Sequence, residues 1–87
     1  MIPKNITKND VLKAVNEIDK TGIPKNRNSR KYELEYNGKR YPPKYVISIA
    51  NKYVNGKELK PLEFNGGKET NEFLNKLGFD IRHKIIG

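Results

Sequence analysis

Hydrophobic positions in the first quarter of the chain recur at helical spacing. They fall on one face of a predicted helix: Val11, Leu12, Val15 and Ile18. Thr7 followed three residues later by Asp10 resembles a capping box, which predicts that the helix begins there. Gly22 interrupts the pattern and predicts the end of the helix. The polar and basic segment that follows, 23–31, has no periodicity and is expected to be an exposed loop.

The clearest local signal is an alternation of apolar and acidic residues over 32–36, followed by Asn37-Gly38. An Asn-Gly pair suits a type I′ turn, because both central residues of that turn need a positive φ. The pattern therefore predicts a β-hairpin. A two-residue loop makes the cross-strand pairs Tyr36 with Lys39, Glu35 with Arg40, and Leu34 with Tyr41.

The second predicted helix begins at Pro43, because proline suits the first helical position, where its missing N–H costs nothing. Its core stripe is expected to be Val46, Ile49, Ala50 and Tyr53, with Ile47 and Val54 at the flanks. Asn55-Gly56 predicts its end. A loop over 57–64 follows, with three apolar side chains that are expected to fold back onto the core: Leu59, Leu62 and Phe64.

A third helix and a last strand complete the predicted order. A Gly-Gly pair precedes this helix, whose inward residues are expected to be Phe73, Leu74 and Leu77. Gly78 falls where a left-handed cap belongs, and Phe79 falls where a Schellman motif places its hydrophobic contact. Residues 80–86 are expected to add a strand beside the hairpin, with Ile81 inward. The predicted fold class is α+β, in the order α-β-β-α-α-β, with three helices on one face of a small antiparallel sheet.

Length and composition limit what the chain can be. Its 87 residues, 34% of them hydrophobic, are expected to form one domain over 1–87 with a thin core and little room for a deep catalytic pocket. There is no cysteine, so neither a disulfide nor a thiolate metal site is available. No apolar run approaches the ~18–20 residues that cross a bilayer, and the start lacks the apolar core of a secretion signal. We therefore expect a cytoplasmic protein without membrane contact.

Charge is the strongest compositional signal. Eighteen Lys and Arg against ten Asp and Glu leave a net charge of +8, which attracts polyanions. Segment 20–44 carries +6 of this, because it holds two acidic residues and eight basic ones: Lys20, Lys25, Arg27, Arg30, Lys31, Lys39, Arg40 and Lys44. A lysine-rich composition that serves only solubility is the alternative interpretation.

Individual residues offer little chemistry for catalysis. Gly66-Gly67 before a helix is compatible with a phosphate held by backbone N–H groups, and also with a simple tight turn, which the pattern slightly favours. The residues after it lack the Gly-Lys-Ser/Thr order of a nucleotide-binding loop. His83 is the only histidine and has no ligand partners at metal spacing, so it is expected to face solvent. No carboxylate cluster with a positioned Lys or His can be assembled, so we predict no catalytic residue, no metal, no cofactor and no enzyme.

A set of residues spread over most of the chain resembles one known family. They are Tyr32, Asn37-Gly38-Lys39-Arg40-Tyr41-Pro42-Pro43-Lys44, Ile49-Ala50, Phe64-Asn65-Gly66-Gly67, Thr70-Asn71, Phe73-Leu74 and Leu77-Gly78-Phe79. This pattern resembles the N-terminal head domain of ScoMcrA-like, modification-dependent restriction enzymes. The resemblance implies a domain that precedes a nuclease or other effector domain in the same polypeptide and that contacts or selects DNA. Segment 23–31 departs from that pattern in being shorter.

The sequence therefore predicts a non-catalytic module that binds duplex DNA on behalf of a restriction or defence effector. The expected positive face combines the hairpin, the start of the second helix and the Gly-Gly turn. Its predicted contact residues are Arg27, Arg30, Lys31, Lys39, Arg40, Lys44, Gly66, Gly67 and Lys68. Tyr32 or Tyr36 is available to stack on a base. The alternative is a protein-interaction module that docks an effector domain or a partner subunit, which an exposed patch of Tyr36, Ile47 or Val54 would favour.

Overall fold

The first helix begins at the predicted capping box. In the computed structural model, which describes residues 1–84, helix α1 spans Lys8–Thr21. The Asp10 N–H donates to Thr7 Oγ1 (3.4 Å), and the Thr7 N–H donates to Asp10 Oδ2 (2.8 Å). Gly22, with a φ of 82°, ends the helix. Local capping therefore fixes both ends of α1 as the sequence predicts.

The hairpin has the predicted strands and turn. Strand β1 spans Tyr32–Tyr36 and strand β2 spans Lys39–Tyr41. The two turn residues, Asn37 and Gly38, have φ values of 51° and 77°, as a type I′ turn requires. The predicted register is confirmed: Tyr36 lies opposite Lys39, Glu35 opposite Arg40, and Leu34 opposite Tyr41.

Helix α2 spans Pro43–Asn55 and is the centre of the fold. Proline occupies its first position, and Gly56, with a φ of 89°, ends it in the left-handed conformation. The helix packs against α1, against β1 and against the third helix. Because it is covered on several sides, its buried surface is wider than a single stripe.

Three apolar residues differ from the predicted burial. Tyr53 is 44% exposed, because it lies near the end of α2 and its hydroxyl donates to Glu17 Oε1 (2.7 Å) on the rim of α1. Ile47, predicted at the flank, is fully buried because α2 is covered on several sides. Leu62 is 100% exposed, because it is the middle residue of a short 3₁₀ turn, Pro61–Glu63. The predicted inward folding of that loop is confirmed at its other two apolar residues, Leu59 and Phe64.

Helix α3 spans Lys68–Lys76 and ends in the predicted Schellman motif. The Phe79 N–H donates to Leu74 O (3.1 Å), and Gly78 adopts a φ of 95°. The ring of Phe79 is buried, as the hydrophobic contact of this motif requires. The predicted inward face is confirmed, with Leu74 fully buried and its neighbours Phe73 and Leu77 partly buried.

Strand β3 spans Asp80–His83 and pairs antiparallel with the free edge of β1. The sheet order is therefore β2-β1-β3. Ile81 packs against the core as predicted, while positions 85 and 86 of the predicted strand lie outside the described residues. The α+β fold in the order α-β-β-α-α-β is confirmed. Within residues 1–84, none of the helices is both long enough and apolar enough to span a bilayer.

Candidate nucleic-acid interface

A cleft of about 360 Å³ opens where four segments meet. These segments are the loop before β1, the start of α2, the Pro61–Glu63 turn and the first turn of α3. Five of the nine predicted contact residues line it: Arg27, Arg30, Lys44, Gly66 and Gly67. The fold therefore brings together basic residues and a helix N-terminus that are far apart in the sequence.

Arg27 is held in the cleft by helix α2. Its Nη2 donates to Ser48 Oγ (2.8 Å), and its guanidinium carbon lies 4.9 Å from the centroid of the Tyr45 ring. Ser48 is fully buried and donates in turn to Leu59 O (2.7 Å). Arg27 lies in a short 3₁₀ turn, Lys25–Arg27, within the segment that the sequence predicts as an exposed loop. A guanidinium has five N–H donors, so this anchored residue keeps donors for an anion.

Lys44 lies in the first turn of α2, where a cation is poorly placed against the helix dipole. Its Nζ donates to Pro61 O (2.7 Å) and lies 4.7 Å from the centroid of the Phe64 ring. Desolvation, and secondly the nearby Arg27 charge, lower the pKa of Lys44 below its ordinary value of 10.5. The two cations repel each other across the cleft, and a bound anion would relieve that repulsion.

The Gly-Gly turn places the start of α3 in the same cleft. Gly67 is the N-cap, with φ 63° and ψ −121°, and no side chain caps the helix there. The N–H groups of a first helical turn have no intrahelical partners, and the helix dipole makes this end positive. The acid of this turn, Glu69, accepts from the Asn65 N–H (2.8 Å), which lowers the pKa of its carboxyl group. The turn is therefore compatible with an anion site as well as with a simple tight turn.

The two predicted hairpin contacts are not in the cleft. Arg40 Nη1 lies 3.2 Å from Glu33 Oε1, and Lys39 Nζ lies 3.8 Å from Asp19 Oδ1. Arg82 on β3 forms a further ion pair with Glu35. The outer face of the sheet is therefore a surface of alternating charge. Two other predicted contact residues, Lys31 and Lys68, also lie outside the cleft lining. Both are exposed.

Sequence analysis did not predict the polar residues of the cleft that carry no charge, among them Asn71. Asn71 lines it from the first turns of α3, and its Oδ1 is buried without a hydrogen-bond partner among residues 1–84. Its neighbour Thr70, in contrast, donates to Asn65 O (2.7 Å). The only sequence signal was a Thr-Asn pair in a helix start, and such a pair is equally compatible with an exposed turn. Whether such a pair lines a cleft or lies in an exposed turn depends on tertiary packing, which the local sequence does not show.

Metal-binding chemistry is not assembled in the described part of the chain. No group of three or more His, Cys, Asp or Glu side chains in residues 1–84 is placed to hold a metal ion. His83 is exposed, and its ring makes an edge contact with Tyr32 at 4.7 Å between centroids.

The fold and the cleft define a small basic α+β module with a cationic site at a helix N-terminus. Residues 4–83 match the family model described as ScoMcrA-like, N-terminal head domain. The chain therefore belongs to this family, and the resemblance carried by the hairpin, helix-cap and Gly-Gly residues is confirmed. Comparison with curated proteins and with solved structures found no match.

Proposed function

We propose that this head domain is a non-catalytic module that binds DNA and so helps to bring a restriction or defence effector to its target. One observation carries the proposal: Arg27, Lys44 and the start of α3 converge on a single cleft. Phosphate oxygens are the ligands that this combination of guanidinium, ammonium and free backbone N–H groups suits best.

The charges of the cleft favour DNA phosphates over a protein surface. Arg27 and Lys44 are both held by uncharged partners, Ser48 Oγ and Pro61 O. Neither forms an ion pair of 4.0 Å or less within residues 1–84. The hairpin cations do form such pairs, with Glu33 and Asp19. We therefore assign the main phosphate contacts to the cleft and only a supporting role to Lys39 and Arg40.

The three apolar residues that were named for the protein-interaction alternative do not support it. Ile47 is fully buried, while Tyr36 and Val54 are partly buried and pack against the core. These three residues therefore do not form the exposed apolar patch that the alternative needs.

The salt dependence of DNA binding tests the proposal. For a duplex, log affinity should fall linearly with log salt, at a slope of about −0.9 for each phosphate neutralised. About four contacts would give a slope of about −3.6. The double variant Arg27→Gln/Lys44→Gln should reduce the slope by nearly two units, and by a similar amount for all sequences, because backbone contacts do not read bases.

The matched control is Lys13→Gln/Lys20→Gln, which removes the same charge from helix α1, away from the cleft. Affinities are compared per folded molecule, because loss of the Arg27 contacts to Ser48 and Tyr45 also lowers stability. No binding at low salt would exclude the DNA proposal. Equal losses in the two double variants would show that binding reflects only net charge.

A further inference from the structure

One leucine is fully exposed at the rim of the cleft. Leu62 is 100% exposed and is the middle residue of the turn Pro61–Glu63, whose first residue lines the cleft. Single exposed apolar residues are common on protein surfaces. Here, however, two of the three large apolar side chains that are exposed within residues 1–84, those of Met1 and Leu62, lie at this turn, because the Met1 amino group donates to Glu63 O. The exposed apolar surface is therefore concentrated next to the cleft.

The backbone of this turn is held in place. The Glu63 N–H donates to Lys60 O (2.9 Å), and the Lys60 N–H donates to Glu63 Oε1 (3.0 Å). The residues on either side of the turn, Leu59 and Phe64, are buried in the core. Leu62 is therefore displayed on an anchored turn, so little backbone entropy is lost when a ligand covers it.

Leu62 is within reach of DNA bases when a phosphate occupies the cleft. Lys44 Nζ, which we assign to a phosphate, lies 2.7 Å from Pro61 O. Leu62 is the next residue, so standard bond lengths place its methyl groups within roughly 10 Å of that Nζ. The minor groove is about 7.5 Å deep, and base edges form its floor. A side chain at this distance from a bound phosphate can therefore touch the bases.

The surroundings of Leu62 suit DNA better than an apolar protein pocket. Lys60, at the start of the turn, is exposed, and Arg27 and Lys44 lie in the adjoining cleft. The acid of the turn, Glu63, accepts from the Lys60 N–H. Proteins that bind the minor groove place apolar side chains such as leucine between base pairs, while cations hold the phosphates.

From these observations we infer that Leu62 is an apolar wedge, which enters the minor groove and partly unstacks one base step of the DNA held by the cleft. The inference rests on the proposed DNA binding and adds that the bound duplex is deformed. Wedges of this kind kink a duplex by about 20–90°. Pyrimidine–purine steps such as TA unstack most easily, so they are the expected place of insertion.

A fluorescent duplex tests the inference. With 2-aminopurine as the purine of a central TA step, unstacking raises the fluorescence, and a pair of dyes at the two ends reports a kink by energy transfer. We expect both signals with the unaltered domain. Leu62→Ala should give neither signal and should bind roughly three- to tenfold more weakly, because it loses buried apolar surface. Its salt slope should stay the same, because no charge is removed.

Two further variants control for effects other than the wedge. Leu62→Met keeps a long apolar side chain and should retain both signals, since methionine also serves as a wedge. Tyr53→Ala truncates an exposed side chain near the other end of α2 and should leave the affinity per folded molecule unchanged. The Tm of Leu62→Ala should equal that of the unaltered domain, because this side chain is fully exposed. A clear fall in that Tm would show a structural contact and overturn the inference.

Binding and deformation are measured separately, so the inference can fail on its own. If the unaltered domain binds the duplex without a rise in fluorescence, or if Leu62→Ala keeps the same affinity and signals, the inference fails while DNA binding stands. An equal loss of affinity in Tyr53→Ala would also overturn it. If the duplex is not bound at low salt, the proposed function fails, and the wedge with it.

Discussion

Two adjacent glycines, Gly66 and Gly67, are expected to respond in opposite ways to the same substitution. At Gly67 the φ of 63° and ψ of −121° lie outside the regions that L-residues adopt, yet an added Cβ has no atom within 4 Å. The effect of Gly67→Ala is therefore backbone strain alone, about 1–3 kcal/mol. In a domain of this size each kcal/mol lowers the Tm by roughly 4–8 °C. We expect a clear loss of thermal stability.

Gly66→Ala changes the site and leaves the backbone unstrained. Gly66 has no positive φ, but its added Cβ would lie 3.3 Å from Lys44 Cδ and 3.7 Å from Cγ. The lysine stem must then shift by a few tenths of an ångström, which disturbs the hydrogen bond of Nζ to Pro61 O. We expect the free energy of unfolding to change by no more than about 0.5 kcal/mol, as for an ordinary surface substitution. DNA binding should become weaker.

Thermal melts and DNA titrations at one salt concentration separate the two effects. The expected pattern is a lower Tm for Gly67→Ala with near-normal affinity per folded molecule, and the reverse for Gly66→Ala. A Tm for Gly67→Ala equal to that of the unaltered domain would refute the strain argument. Unchanged affinity in Gly66→Ala would show that the position of Lys44 does not matter for binding. Strong loss of affinity in folded Gly67→Ala would show that binding needs the exact backbone conformation of the turn.

Two further predictions concern pH. Burial, and secondly the hydrogen bond to Asp19, raise the pKa of Tyr41 to about 12 from 10.0, so its stabilisation is complete below pH 10 and is lost as the pH rises toward 12. Denaturant titrations should show a fall in the free energy of unfolding across that window that is about 2 kcal/mol larger than the fall in Tyr41→Phe. The lowered pKa of Lys44 means that DNA affinity should begin to fall at a lower pH than for an ordinary lysine. In the pH range where Lys44 loses its proton, the DNA affinity of Lys44→Arg should stay constant. A pH-independent affinity in the unaltered domain would contradict the assignment of Lys44 as a phosphate contact.

The features that the sequence predicted correctly are those set by neighbouring residues. The capping box of Thr7 and Asp10 and the Asn37-Gly38 turn each act over four residues or fewer. The Schellman cap at Gly78 is equally local. Since the turn fixes which residues pair, the register of β1 and β2 followed from it without any knowledge of the rest of the fold.

The features that sequence analysis could not supply depend on distant partners. Tyr53 was predicted in the core, but its hydroxyl is bonded to Glu17 of another helix. Arg40 was predicted as a phosphate contact, but its guanidinium pairs with Glu33, two strand positions away from its register partner. The anchoring of Arg27 to Ser48 joins residues 21 positions apart. Helical periodicity and charge counts contain no information on such contacts, so the basic segment was predicted but the cleft was not.

The central claim is that DNA occupies the cleft at the start of α3. Amide chemical-shift mapping with a short duplex, in a salt range where binding is reversible, tests it residue by residue. The account predicts the largest shifts in the first turn of α3 and around Arg27 and Lys44, and small shifts on the outer face of the sheet. Shifts concentrated at Arg40 and Arg82, with the amides of Gly66 and Gly67 unmoved, would contradict it.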